Sequence, residues 1–178
     1  RGATLDVFAN ASKSARFMTP NSHGWRLMRD AALSLAHDHP FAGALANPRQ
    51  MTAYTYSDSP AVMPGTGQFE AGPTIGAVFQ DAAIDGGFLS EKLGSGFTVL
   101  CFGNELAGQL SASFSGADDI TIVAVPCPSP VAETYGAEVG AVYLIRPDGH
   151  VAGRWKSADA ATVVDAYRTV TFQKGSRQ

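Results

Sequence analysis

Arg146-Pro147-Asp148-Gly149 stands between two apolar runs, Ala141 to Ile145 and His150 to Trp155, and constrains the fold more than any other stretch. Proline presets φ at one corner, aspartate bonds its own backbone, and glycine takes the positive φ that the turn demands. Strands joined by so short a turn pair antiparallel, so the chain's last two strands form a hairpin.

Two further runs lie upstream. Phe97-Thr98-Val99-Leu100-Cys101-Phe102, bounded by Gly96 and Gly103, suits a strand buried on both faces. Ile120 to Val125 is rich in β-branched residues and stopped by Pro126 and Pro128. Asn104 to Leu110 between them reads as a short helix, and Val131 to Tyr135 as a helical turn. Ser157 is expected to cap a final helix with Val163, Tyr167 and Val170 on one face, Asp159 early and Arg168 late. A helix between the first two strands implies a parallel crossover. The expectation is an α/β domain: a mixed four-stranded sheet with flanking helices, the thioredoxin-like arrangement, over residues 74–178.

Residues 1–56 read as helical. Thr19-Pro20 or Ser22 starts a helix in which Trp25, Met28, Ala32, Leu35 and Ala36 form one apolar stripe of helical period. Arg26, Arg29, Asp30 and His37 fall mostly off it. His39-Pro40 ends the helix, a second short turn covers Phe41 to Leu45, and Asn47-Pro48 breaks the pattern again. Residues 57–73, with three Pro and three Gly, have the composition of a linker. The opening at Arg1, inside an ongoing helical pattern, suggests a piece of a longer polypeptide.

Hydrophobic residues make up 45% and charged ones 16%, enough for a real core. The net charge of -3, with scattered basic residues, predicts no nucleic-acid partner and no anionic membrane surface. Neither a transmembrane run nor a basic-then-apolar leader is expected, and the location inferred is cytoplasmic.

The chemical motifs are mostly negative. Cys101 and Cys127 form no CxxC and read as two buried free thiols of a cytosolic protein. A thioredoxin-type enzyme needs a thiolate in the turn after the first strand, where a helix N-terminus lowers its pKa. That turn is Gly103-Asn104-Glu105. Gly65-Thr66-Gly67 supplies two glycines of a dinucleotide motif but has Glu70 at the third position and no strand before it. Among His23, His37, His39 and His150 there is no i, i+4 pair, and His37-x-His39 lies at a helix end. Asp118-Asp119 reads as a loop turn, Glu133 and Glu138 lack an evident partner, and Asp148 belongs to its turn. No catalytic, cofactor-binding or metal residue is assigned.

Several stretches nevertheless resemble one family, the FAD-dependent aromatic hydroxylases of the phenol and 3-hydroxyphenylpropionate hydroxylase type. Arg16-Phe17-Met18-Thr19-Pro20, Arg26-Leu27-Met28-Arg29-Asp30-Ala31-Ala32-Leu33 and His39-Pro40-Phe41-Ala42 resemble the helices that close its FAD domain. Tyr56-Ser57-Asp58-Ser59-Pro60 resembles the link out of it. Gly72-Pro73, Asp81-Ala82 and Leu93 to Leu100 are similar to the start of its C-terminal domain, and Leu144 to Trp155 to that domain's hairpin. Gln80 departs from the family, where proline often precedes Asp-Ala. The resemblance covers nearly the whole chain. It implies a thioredoxin-like domain without CxxC that contributes to subunit contacts, hence a homodimer. It also implies FAD and NAD(P)H bound by the missing part of the same polypeptide, since the family's GxGxxG, mid-chain Asp-Gly and Gly-Asp motifs do not occur here. None of these cofactors is expected on this chain alone. The alternatives are a stand-alone thiol oxidoreductase or peroxidase, and a non-catalytic interaction module.

Overall fold

The computed structural model describes residues 2–46 and 53–172. The chain divides into two compact units, residues 1–54 and 55–178.

The first unit is helical: α1 (Gly2–Met18), α2 (His23–Asp38) and α3 (Pro40–Ala46). Ser22, one of the two expected starts, caps α2 by accepting the Trp25 N–H at 3.3 Å. His39 is extended at φ -132°, ψ 110°, as a residue before proline must be, and its N–H closes the last turn on the Leu35 carbonyl. The expected apolar stripe corresponds to a real helix face but not to a buried one. Ala32 is buried, whereas Trp25, Met28 and Leu35 are exposed. Among the described residues of this unit the buried side chains are small: Asn10, Ala32 and Ala42. The turn expected over Phe41 to Leu45 lies within α3, and Asn47-Pro48 lies outside the described residues.

The second unit holds a four-stranded sheet of order β4-β3-β5-β6. Its elements follow as β1 (Ala83–Ile84), β2 (Gly87–Phe88), a 3-10 turn (Leu89–Lys92), β3 (Phe97–Phe102), α4 (Asn104–Ser113), β4 (Ile120–Val125), α5 (Pro130–Tyr135), β5 (Val142–Ile145), β6 (Val151–Trp155) and α6 (Ala160–Val170). β3 and β4 are parallel, with Phe97 opposite Ile120; β3–β5 and β5–β6 are antiparallel. This is the mixed α/β sheet that the strand–helix–strand, helix, hairpin, helix order predicts. Gly149, at φ +80°, turns the hairpin as expected.

Alternation along the strands supplies two cores. Val99, Cys101, Val142, Leu144 and Trp155 face Leu110 of α4 and Val163, Ala166 and Val170 of α6. Leu100, Phe102, Val125, Tyr143 and Ile145 face Val131 and Tyr135 of α5 and Leu89 of the 3-10 turn.

Two local expectations are corrected. The cap of α6 is Asp159, not Ser157: the helix starts at Ala160 and the Asp159 carboxylate accepts the Thr162 N–H at 2.8 Å. α5 starts one residue before the expected Val131, with Pro130 in its first turn and Ser129 accepting the Ala132 N–H. Residues 57–73 are bonded along β6 within the second unit. The Met63 N–H reaches the Ala152 carbonyl, and Thr66 exchanges backbone bonds with Arg154 and Lys156.

Candidate functional site

The place in this sheet where strand–helix chemistry would sit is the turn from β3 into α4. Gly103 occupies it at φ +116°, a conformation that L side chains rarely adopt, and its N–H is committed to the Val125 carbonyl. Asn104 and Glu105 follow on the exposed first turn, with no side-chain cap from Gly103. The acidic Glu105 here disfavours a thiolate or a phosphate, which a helix N-terminus would otherwise attract.

The two cysteines are free and pack against opposite faces of the sheet, Cys101 with the α4–α6 core and Cys127 with the α5 core. A shared disulfide is therefore excluded by geometry. Cys101 is fully buried, and desolvation pushes its thiol up to about 12, so it is protonated and inert at neutral pH. Cys127 is half-buried, with Sγ 3.6 Å from the Ala137 carbonyl.

Two cavities meet at Val139. One, about 330 Å³, opens on Gly103, Asn104, Glu105 and Gln109. The other, about 510 Å³, is lined by Cys127, Pro128, Glu70, Glu133, Glu138 and Lys156. Glu133 and Glu138, which sequence reasoning left without a role, thus share one cavity wall. Both are exposed, and no histidine lines either cavity, so nucleophile and base are not brought together. Among the described residues no three His, Cys, Asp or Glu side chains form a metal-binding group. His37 ends α2 and His39 stacks on Phe41, while His150 belongs to the hairpin.

Asp118 and Asp119 precede β4 as expected of a loop, but Asp119 also accepts the Tyr167 hydroxyl from α6. The Asp148 carboxylate accepts Arg146 Nη2 at 2.5 Å and the His150 N–H at 3.3 Å. Burial alone would raise its pKa; the Arg146 bond, the His150 N–H and both charges outweigh that and hold it low. These contacts confirm the turn reading for Asp148. Sequence reasoning missed a tyrosine network. The Tyr143 hydroxyl donates to the Tyr135 carbonyl at 2.8 Å, and the Tyr135 hydroxyl donates to the Gln80 carbonyl at 2.8 Å while accepting the Gln80 N–H at 3.2 Å. Proline at position 80 would lack that donor. The same reasoning also missed the small β1–β2 hairpin, for which Asp85-Gly86, both at positive φ, was the available signal.

No protein-family model matches the chain, and no curated protein does. Solved structures do match. The rebeccamycin biosynthetic enzyme RebC, in its structure with reduced flavin, superposes at a TM-score of 0.63 with 22% identity over 96% of this chain and 35% of its own. OxyS, an anhydrotetracycline hydroxylase from Streptomyces rimosus, gives 0.57 and 20% over 95% of this chain and 33% of its own. PieE, a flavin-dependent monooxygenase solved with FAD and substrate, gives 0.55 and 21% over 87% and 31%. The chain spans about a third of the length of these proteins, and at such identities the likeness is one of fold.

Proposed function

We propose that this chain is the C-terminal portion of an FAD- and NAD(P)H-dependent aromatic-ring monooxygenase, a portion that stabilises the enzyme and contributes subunit contacts without carrying the chemistry. The observation that carries the reading is coverage. The RebC match takes in 96% of this chain, helices and sheet alike, while using only 35% of that protein. The strand order and the β–α–β, α, hairpin, α succession support a thioredoxin-like reading of the second unit.

The residues present do not fit a flavin or nicotinamide pyrophosphate. The β3–α4 junction has one glycine rather than a glycine-rich turn, and Glu105 faces the helix start. Cys101 does not fit thiol catalysis either, since it is buried and protonated. The chemistry is therefore assigned to sequence outside these residues, FAD and NAD(P)H included, in a cytoplasmic homodimer. The test is to purify the 178 residues and add FAD and NADPH. The expected result is no bound flavin absorbance and no NADPH oxidation; flavin that copurifies with the chain overturns the reading. Restoring the coding sequence upstream of Arg1 should yield a yellow protein.

A further inference from the structure

The two edges of the sheet are treated differently. The β6 edge is covered, by Met63 and Thr66 bonded to β6 and by Gly76 and Ala77 bonded to Val151. The β4 edge is bare: among the described residues no backbone bond reaches its outer side. Yet β4, Ile-Thr-Ile-Val-Ala-Val, carries no charge, no proline and no bulge, the usual means by which an open edge is blunted.

The register identifies the free groups. The Phe97 N–H donates to the Asp119 carbonyl and the Gly103 N–H to the Val125 carbonyl. Because a strand residue's N–H and C=O point to the same side, residues 119, 121, 123 and 125 face β3. Ile120, Ile122 and Ala124 therefore aim their N–H and C=O outward, with the Ala124 side chain exposed.

We propose that this edge pairs with the same edge of a second copy, antiparallel about a two-fold axis at Ile122, joining two sheets into one. Ile122 then exchanges both backbone bonds with the same residue of the second copy, and each Ile120 does so with the opposing Ala124, about six bonds in all. The outward N–H and C=O groups of Ile120, Ile122 and Ala124 are self-complementary about Ile122, and charge sets the direction of the pairing. Asp118 and Asp119 stand at the N-terminal end of β4 and only Pro126, Cys127 and Pro128 at the other. The two-fold ladder puts each acidic pair beside the uncharged end of the opposing strand, whereas a parallel ladder would set four carboxylates together. The inference rests on the subunit-contact reading above and gives it a surface.

The test is sedimentation of the full 178-residue chain across a concentration series, with Ala124→Pro and Ala124→Glu. Both changes spare the inner ladder, whose β4 donors are odd-numbered. The expected result is a concentration-dependent dimer whose dissociation constant rises by at least about tenfold in both variants. Proline removes one outward N–H from each copy, and glutamate sets a further carboxylate beside the Asp118–Asp119 pair of the opposing strand. Amide exchange supplies a second readout: the Ile120 and Ile122 amides should be protected in the dimer and not in the Ala124→Glu chain. A dimer unaffected by both variants overturns the β4 interface but leaves the subunit-contact role standing. A monomer at all concentrations overturns both.

Discussion

Tyr143→Phe tests whether the buried tyrosine network holds the second unit together. Tyr143 and Tyr135 are both fully buried, their rings 4.9 Å apart and edge-on. The hydroxyl removed donates to the Tyr135 carbonyl at 2.8 Å. Gly72 packs so close to this carbonyl that a Cβ there would lie 2.5 Å from the oxygen and 2.8 Å from the Tyr143 hydroxyl. Water therefore has no room to replace the missing donor. An average hydrogen bond is worth about 1 kcal/mol net, but a buried acceptor left unpaired costs about 1–3 kcal/mol. The expected loss is about 2 kcal/mol, or a fall in Tm of about 8 °C for a unit of this size. The assay is urea unfolding followed by Trp155 fluorescence. Trp155 is 3% exposed and reports on the sheet, and a Trp25→Phe background silences the helical unit. Tyr167→Phe is the control. Its hydroxyl donates to Asp119, an exposed carboxylate that water rehydrates, so its cost should stay under about 1 kcal/mol. A Tyr143→Phe loss below about 0.5 kcal/mol, or one smaller than that of Tyr167→Phe, refutes the argument.

Ser129→Ala should cost about 1 kcal/mol by uncapping α5, while Ser157→Ala, at the position the sequence alone favours as a cap, should leave the urea midpoint within error. In the folded chain at pH 8, iodoacetamide should label Cys127 and spare Cys101, whose thiol burial holds at about 12; equal labelling rates seen by mass spectrometry would contradict its placement in the core. Asp148 and Asp81 both have folded-state pKa values below their ordinary ones, Asp81 chiefly through the Ser90 hydroxyl and Asp148 through Arg146 and His150 against burial. Their stabilisation is therefore complete above the ordinary carboxylate pKa, near about 4, and is lost as pH falls through the lowered values. Asp148→Asn should accordingly flatten the acid limb of a Tm–pH profile; an unchanged limb argues against the Arg146–Asp148–His150 cluster.

What was legible from sequence follows the range of the interactions. The Arg146–His150 turn is decided by five adjacent residues, and its bonds run from position 146 to 148 and 150. The directions of the β3–β4 and β5–β6 pairs could be read because a helix or a tight turn between strands leaves one topological choice. The α2 stripe shows the limit of periodicity. Spacing identifies the apolar face of a helix, but whether Trp25, Met28 and Leu35 find a partner depends on what lies across from them. The bonds of Met63 and Thr66 to β6 left no trace because they are backbone to backbone, which no side-chain pattern encodes. The Tyr135–Gln80 pair, 55 positions apart, is similarly silent.

The candidate site was legible mainly as a substitution of parts, and the structure gives that substitution a physical reason. A reactive thiol at the β3–α4 turn needs a helix N-terminus free to stabilise negative charge and a backbone that tolerates a side chain. Gly103 at φ +116° removes the second condition and Glu105 the first. Cys101, one strand position short of Phe102, is turned into the α4–α6 core, where a charge is costly. Placing a reactive thiol at this turn would thus require at least a change of backbone conformation and a change of charge.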